Sequence, residues 1–297
     1  MTNKRINKIV EASVKIQEEN VFQREALGFY SSSFISCTLP HKNPGDETTT
    51  FGRRTSNQYF GIQAGYDGIN DKSRGLPYGS YPRLLLCFVM TEATRTKNPV
   101  IKLGNSLSEF MNKLGIVPYG GRWGSITRLK NQINRLFHAR IHIQQTSKDK
   151  NIGGETSTEF LLSDEKELWW SKTDPNQSLL WESTITLSEK FFNEIITSPV
   201  PIDLDVLKTI RQSPLAIDLY LFLTHRVFKI RKPVKIPWTL LHKQLGAEYK
   251  EAGQFAHNCK KQLKVICGVY TGLNLSYERG NLVVHPSLPS VPPKKYL

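Results

Sequence analysis

The side chains best suited to chemistry are cations and amides on one face of a predicted helix over residues 122–138. Arg128, Asn131 and Arg135 recur at helical spacing. Arg can donate two hydrogen bonds to guanine, Asn can pair with adenine, and a helix fits the DNA major groove. We predict that these three side chains, with Arg122 at the start of the helix, contact DNA. The opposite, apolar face is formed by Ile126, Leu129, Ile133, Leu136 and Phe137.

A second candidate helix, over residues 249–266, presents mainly lysine. The polar face opposes Phe255, Cys259, Leu263 and Ile266 and carries Lys250, His257, Lys261 and Lys264. Lysine is a flexible point charge that neutralises phosphate better than it distinguishes bases. We therefore expect this helix to contribute affinity more than sequence specificity. For both helices the alternative is that the face is simply exposed to solvent, where Arg and Lys are common, and does not bind DNA.

Two further cations lie in a polar turn between predicted strands. Residues 140–144 alternate between polar and apolar side chains, and a returning strand is predicted over 158–162. Lys148 and Lys150 lie in the turn between them. We predict that this hairpin brings both lysines to DNA phosphates or to the minor groove.

The distribution of charge supports a polyanionic partner. The 297 residues carry a net charge of +14. Residues 76–151 and 206–297 contribute +9 and +11, and residues 152–205 contribute −8. Nucleic acid is the commonest partner of such basic segments. Membrane binding is disfavoured, because no amphipathic membrane helix, secretory core or apolar run of about 20 residues is found. Four cysteines suit a reducing cytosol.

The order of elements predicts the fold class. From residue 82 the order is helix, strand, helix, turn, helix and two strands, and the same order returns from residue 213. A helix-turn-helix followed by a β-hairpin is the winged-helix order. We predict an α+β protein of two tandem winged-helix domains with an N-terminal helical segment, whose helix covers residues 4–27.

The predicted domain boundaries follow the charge blocks. Residues 1–75 are expected to form an N-terminal helix and extended segment that packs on the first domain. The first winged-helix domain then covers residues 76–165, an acidic connector with three tryptophans covers 166–205, the second domain covers 206–290, and 291–297 form a tail.

Enzymatic chemistry finds little support in the sequence. The glycines between Gly115 and Gly121 lack the Lys-Ser/Thr end of a phosphate-binding loop, and no convincing metal-ligand spacing occurs. Asp203 and Asp205 could hold Mg²⁺ in a primase-like or nuclease site. They also stand where a helix begins at Val206, and capping explains them more simply. We expect no enzymatic activity, no metal and no cofactor.

Several motifs resemble the plasmid-encoded RepA-type replication initiators. The resemblance extends over residues 4–291, and the Gly-Gly-Arg-Trp-Gly block is its most specific part. The matching stretches are Thr38–His41, Gly75–Leu86, Thr91–Thr96, Leu103–Met111, Pro118–Gly124, Ser213–Tyr220, Ile236–Trp238 and Pro286–Ser287.

This resemblance implies a bacterial cytoplasmic initiator built of paired winged helices. Such a protein binds repeated double-stranded sites (iterons) at a plasmid origin, helps to open the duplex and recruits host replication proteins such as the initiator and the helicase. Homodimer formation, through the N-terminal helix or elsewhere, is a further expectation. The alternatives are a winged-helix transcriptional repressor without initiation activity, and an enzyme that uses Asp203 and Asp205.

Overall fold

The computed structural model describes residues 3–36, 38–55, 58–146, 154–169, 174–177, 183–246 and 248–293. Helices and strands alternate along the chain, which confirms the predicted α+β class. The chain separates into two compact units. The first, called the middle unit here, is residues 42–199; the second, called the split unit, combines residues 1–41 with residues 200–297.

The N-terminal segment contains α1 (Asn3–Glu18), β1 (Leu27–Ser31) and α2 (Ser32–Ile35). The helix predicted over 4–27 therefore ends about two turns early. The Asn20 side chain accepts hydrogen bonds from the backbone amides of Phe22 and Gln23, at 3.0 Å each. Asn favours such local turns over continued helix.

The middle unit carries most of the strands. Its elements, in chain order, are β2 (Thr50–Arg54), β3 (Gln58–Gln63), β4 (Tyr66–Asp67), β5 (Lys72–Ser73), α3 (Ser80–Thr96), β6 (Val100–Gly104), α4 (Leu107–Lys113), α5 (Ser125–Phe137), β7 (Arg140–Thr146), β8 (Glu155–Leu161), β9 (Ser163–Glu167), β10 (Ser183–Leu187) and α6 (Glu189–Thr197).

The predicted hairpin of the middle unit is confirmed but belongs to a larger sheet. β7 and β8 pair antiparallel with Ile141 opposite Phe160, and β7 also pairs with β3. The result is a four-stranded sheet in the order β2-β3-β7-β8. Alternate residues such as Phe60, Ile62 and Ile143 are buried on one face, as the period of two in a strand requires. The hairpin is therefore supported by residues 50–63.

The split unit is completed by the C-terminal third of the chain. Its further elements are β11 (Pro199–Asp203), α7 (Leu204–Ile210), α8 (Pro214–Val227), β12 (Val234–Pro237), α9 (Trp238–Leu245), α10 (Ala252–Val269), β13 (Leu275–Glu278) and β14 (Asn281–Val284). α8 is buried nearly all round and packs against α10. The three-stranded sheet has the order β12-β14-β13.

Residues 1–41 belong to the split unit and residues 42–75 to the middle unit, so the segment predicted over residues 1–75 is divided between the two units. β1 pairs with β11, and α1 contacts α7 and α10. Val21 and Ala26 are buried with Val291. Because only tertiary pairing reveals such contacts between chain ends, the sequence pattern did not indicate them.

The same N-terminal segment is fixed by an ion-pair cluster. The Arg24 guanidinium donates to both oxygens of Asp203, at 2.5 and 3.3 Å, and to Asp205 at 2.5 Å. The side chains of Arg24 and Asp203 are each only 1% exposed. Asp203 also accepts hydrogen bonds from the backbone amides of Asp205 and Val206, so the predicted helix cap is confirmed.

The predicted acidic connector is largely part of the middle unit. β10 pairs with β6, with Ile185 opposite Ile101, and also with β9, and α6 packs on α3. Trp169 is exposed, whereas Trp170 and Trp181 lie outside the described residues. The described part of the predicted connector over 166–205 therefore contributes to β9, β10 and α6 of the middle unit, and residues 200–205 belong to the split unit. Among the described helices, none combines the length and apolarity needed to cross a bilayer.

Candidate nucleic-acid interface

α5 begins at a turn that only small residues can form. Gly124 is its N-cap residue, and a Cβ atom there would come within 2.3 Å of the Gly120 carbonyl oxygen. The Ser125 hydroxyl donates to the Val117 carbonyl at 2.7 Å and accepts from the Tyr119 amide at 2.9 Å. The helix start is thus tied closely to the loop before it.

The two faces of α5 separate as predicted along most of its length. The buried residues include Leu129, Ile133, Leu136 and Phe137, all from the predicted apolar face, while Ile126 is half-buried. On the opposite side, Thr127, Arg128, Asn131 and Asn134 are exposed. This exposed part of α5 is called the α5 face below.

Arg128 is held in place by aromatic side chains. Its Nη2 donates a 2.6 Å hydrogen bond to the Tyr119 hydroxyl, and its guanidinium carbon lies 5.5 Å from the ring centroid of Tyr81. Within the described residues it has no carboxylate partner. A guanidinium oriented by rings and left unneutralised loses less side-chain entropy when it meets a base or a phosphate.

Asn131 is exposed, but half of its amide is occupied. Its Oδ1 accepts from Arg135 Nε at 2.8 Å and from Gln132 Nε2 at 3.3 Å. Pairing with adenine requires both an acceptor and a donor from the amide. In this conformation the Nδ2 donor is the group available to a base or a phosphate.

Arg135 is buried, which corrects the prediction that it contacts DNA. It is 7% exposed, and its guanidinium donates to Asp46 at 2.8 Å and to the Leu76 carbonyl at 3.3 Å. The helical spacing does place Arg135 on the side of Arg128. Asp46, Leu76 and Tyr78 contact its guanidinium. Gly75 has a φ of +74° and lies so close that a Cβ atom there would come within 2.2 Å of Arg135 Nη1. Arg135 is buried by residues that are distant in the sequence, and such contacts leave no periodic pattern along the helix.

The loop before α5 holds candidates that the helical pattern did not identify. Arg122, predicted from the sequence, is exposed and lies over the Trp123 ring at 5.3 Å. Trp123 is 78% exposed, Val117 70% and Tyr119 51%. The available signal was an aromatic residue beside glycines and an arginine, in a stretch with no Asp or Glu between residues 110 and 148.

The far end of α5 carries a second cationic group. His138 Nδ1 lies 2.7 Å from the Asn134 carbonyl, and its Nε2 lies 2.7 Å from Lys166 Nζ. Burial lowers the pKa of His138. Burial, and then the nearby charge of Arg74, lower the pKa of Lys166 to about 8. A neutral His138 that donates from Nδ1 and accepts from Lys166 fits this geometry.

All four predicted cations of the second helix are exposed. Lys250 lies just before α10, and His257, Lys261 and Lys264 lie along it. The opposite residues Phe255, Cys259, Leu263 and Ile266 are buried, as predicted. We call the exposed cations the α10 face. Near its end, Gly268 lies beside Ile9 of α1, so the N-terminal helix borders this face.

Two pairs of predicted site residues remain: the hairpin lysines and the two aspartates. Lys148 and Lys150 lie outside the described residues, between β7 and β8. Asp203 and Asp205 serve the Arg24 cluster and the start of α7, which is a structural arrangement. Among the residues that the structure describes, no group of three or more His, Cys, Asp or Glu side chains could hold a metal ion.

Comparison with known proteins gives a family and a fold. The family model described as "Plasmid encoded RepA protein" matches residues 76–239. No curated protein matches the chain.

Two solved structures of domains 2 and 3 of RctB resemble the fold. The selenomethionine derivative has a TM-score of 0.52 and 11% identity, over 86% of this chain and 96% of that chain. The other has a TM-score of 0.51 and 12% identity, over 84% and 93%. At this identity the likeness concerns the fold. The family match covers more than half of the sequence, and the chain therefore belongs to the family of plasmid-encoded RepA proteins.

Proposed function

We propose that this protein is a plasmid replication initiator that binds repeated double-stranded DNA sites at an origin. The RepA family membership supports the initiator role. The observation that carries DNA binding is the α5 face, where Arg128 is exposed, oriented by Tyr119 and Tyr81, and unneutralised by any described carboxylate. An oriented arginine on a helix is the side chain best suited to guanine in the major groove.

We propose different roles for the two faces. The α5 face contributes base contacts through Arg128 and Asn131, with Arg122 beside them. The α10 face contributes phosphate contacts through Lys250, His257, Lys261 and Lys264, because phosphate contacts fix position and affinity without selecting a base. Lys148 and Lys150 are proposed as hairpin contacts to the same DNA.

We also propose that both units are winged helices. In the split unit, α8, β12, α9, α10 and the β13–β14 hairpin follow the winged-helix order, and β12 pairs with the hairpin. In the middle unit, α3, β6, α4, α5 and the β7–β8 hairpin follow the same order. There, β6 pairs with β10 and the hairpin pairs with β3, so this unit is an elaborated form.

A selection experiment followed by a replication assay tests the proposal. The full chain should enrich one sequence from a random pool of duplexes, and copies of that sequence should occur as direct repeats beside the gene. A plasmid carrying only the gene and these repeats should then replicate in a suitable host. Binding and repression without replication would favour the repressor. Mg²⁺-dependent primer synthesis or cleavage that Asp203→Ala abolishes would favour the enzyme.

Recruitment of host proteins completes the proposed function. We expect the protein, bound to its repeats in the bacterial cytoplasm, to retain the host initiator and helicase in a pull-down. Analytical ultracentrifugation with and without DNA tests homodimer formation. A chain that supports replication yet retains neither host protein would remove recruitment from the proposal while leaving DNA binding in place.

A further inference from the structure

The loop before α5 exposes a large aromatic side chain, that of Trp123, to solvent. Trp123 is 78% exposed and has Val117 and Tyr119 as exposed neighbours in the same loop. An apolar surface of this kind on a soluble protein commonly marks a binding site. Arg122 lies over one side of the indole at 5.3 Å, which adds a cation to the exposed ring.

The loop is built to hold its shape. The Gly124 amide donates to the Gly121 carbonyl at 3.0 Å, and the Thr127 hydroxyl donates to the same carbonyl at 2.9 Å. Gly121 has a φ of +92°, a conformation that favours glycine. Further along, the Ile126 amide donates to the Tyr119 carbonyl at 3.3 Å. Trp123 is therefore presented by a fixed turn directly before the helix that carries Arg128.

The charge around Trp123 selects the class of partner. Between residues 110 and 148 the chain has Lys and Arg residues and no Asp or Glu. Arg122 lies over the indole, Arg128 follows on the first turns of α5, and both are exposed and lack carboxylate partners among the described residues. This potential favours a polyanion, and an indole ring stacks on every type of base. Duplex DNA, the partner in the proposed function, matches the charge, and its bases offer a stacking surface where a base step opens.

We propose that Trp123 inserts between neighbouring base pairs beside the site contacted by the α5 face and unstacks them. Apolar side chains that enter a base step in this way kink the duplex locally. The distortion would begin beside the base contacts proposed for Arg128 and Asn131. This inference rests on the proposed DNA-binding function and adds a distorting residue to it.

Base unstacking can be measured separately from binding. The probe is the duplex that the wild-type chain selects from a random pool, with 2-aminopurine substituted at one position at a time. The fluorescence of 2-aminopurine rises when its neighbours unstack. We expect the wild-type chain to raise it at one or two adjacent positions. Trp123→Ala should abolish that rise while the affinity falls about threefold or less, because lost stacking is offset by the unstacking that is no longer required.

Two variants complete the test. Trp123→Phe keeps an aromatic ring and should restore most of the fluorescence rise. Trp169→Ala removes an exposed tryptophan of the same unit from an acidic segment and should leave the rise unchanged. Trp123→Ala could also abolish binding while its thermal unfolding is unchanged. In that case, recovery of both binding and the fluorescence rise by Trp123→Phe supports the insertion of an aromatic ring. Failure of Trp123→Phe to recover them overturns the insertion.

The outcomes separate this inference from the proposed function. A wild-type chain that binds its duplex with no rise at any position overturns the insertion of Trp123 but leaves sequence-specific binding standing. A rise that persists in Trp123→Ala overturns it as well, and a partner protein would then be sought for this surface. A wild-type chain that selects no duplex overturns the proposed function itself.

Discussion

The α5 and α10 faces use cations in different ways. On α5, the exposed arginine is oriented by two tyrosines, and amide side chains lie along the same face. On α10, the exposed cations are lysines and one histidine, and Lys260 beside them lies over the Tyr277 ring at 5.2 Å. Oriented arginines favour defined hydrogen bonds, whereas mobile lysines favour charge neutralisation. The residue types of a basic face are therefore not enough to separate base recognition from phosphate binding. The orientation of the side chains must be known as well.

The two helices also differ in what borders their C-terminal ends. Asp46, Leu76 and Tyr78, from the same unit, contact Arg135 at the end of the α5 face, and Asp46 forms an ion pair with it. On α10, the bordering element is α1, which comes from the other end of the chain and has Ile9 beside Gly268. The middle unit is thus continuous in sequence, while the split unit depends on a distant segment.

The largest effect is expected from Arg24→Met. The substitution leaves the buried Asp203 carboxylate without its ion-pair partner, which costs on the order of 3 kcal/mol of unfolding free energy. Hydrogen exchange with peptide resolution should show loss of protection in α10 and retention in α5. Arg231→Met, an exposed arginine of the same unit, should change neither. Equal loss of protection in α10 and α5 would contradict this expectation.

The next effect is on specific DNA binding. Arg128→Ala should weaken binding to the selected duplex by about 1–3 kcal/mol and change binding to unrelated DNA much less. Gel shift or fluorescence anisotropy on both duplexes measures the two affinities. Arg95→Ala is the matched control: Arg95 belongs to the same unit, is ion-paired with Glu92, and lies fourteen residues beyond Tyr81 along α3, or about 21 Å. An unchanged specific affinity in Arg128→Ala would show that Arg128 does not contact a base.

A smaller and non-specific effect is expected from the α10 face. Lys261→Gln should weaken binding to the selected duplex and to unrelated duplexes by the same factor. The magnitude of the slope of log affinity against log salt should fall by about 0.9, because one phosphate contact is lost. Titrations at several salt concentrations measure this slope. Lys208→Gln, whose ammonium already pairs with Asp205 at 3.7 Å, should leave it unchanged. A change in base preference for Lys261→Gln would contradict the assignment of α10 to phosphates.

The sequence predicted local structure and charge better than long-range contacts. The apolar face of α5, its exposed Arg128 and the hairpin after it follow from spacing, and the structure agrees. The cap of α4 is equally local, since the Ser106 hydroxyl accepts a hydrogen bond from the Glu109 amide at 3.1 Å, three residues along the chain. Helical and strand periods are set within a few residues of the chain, so a single sequence is enough to identify them.

Contacts between distant residues could not be predicted in this way. The burial of Arg135 depends on Asp46, 89 positions earlier, and the Arg24 cluster spans 179 positions to Asp203. Nothing in the local pattern differs between an arginine that faces solvent and one that a loop covers. The exposure of Trp123 was likewise not indicated by the sequence, since tryptophan is highly buried on average, and here it is 78% exposed in a turn that contains Gly121 and Gly124.

The smallest effect concerns the end of α5, where Lys166 meets His138. The pKa of Lys166 falls from its ordinary 10.5 to about 8, first through burial and then through the charge of Arg74. Between these two pH values the unfolded chain binds a proton that the folded chain has lost, so the unfolding free energy of the wild type rises with pH in this window.

Lys166→Met removes the titrating group, and this part of the pH dependence should disappear with it. Below pH 8 the Met variant should be slightly more stable than the wild type, because no charge is buried at residue 166, and the gap should narrow as the pH rises from 8 to 10.5. Lys166 is only half-buried, so solvent screening keeps the effect below about 1 kcal/mol. Urea unfolding across this range measures it, with Lys190→Met, an exposed lysine of the same unit, as the control. A difference in unfolding free energy that stays constant with pH would mean that the pKa of Lys166 is not lowered in the folded protein. The end of α5 near Lys166 and His138 would then be more open to water than the site of Arg135.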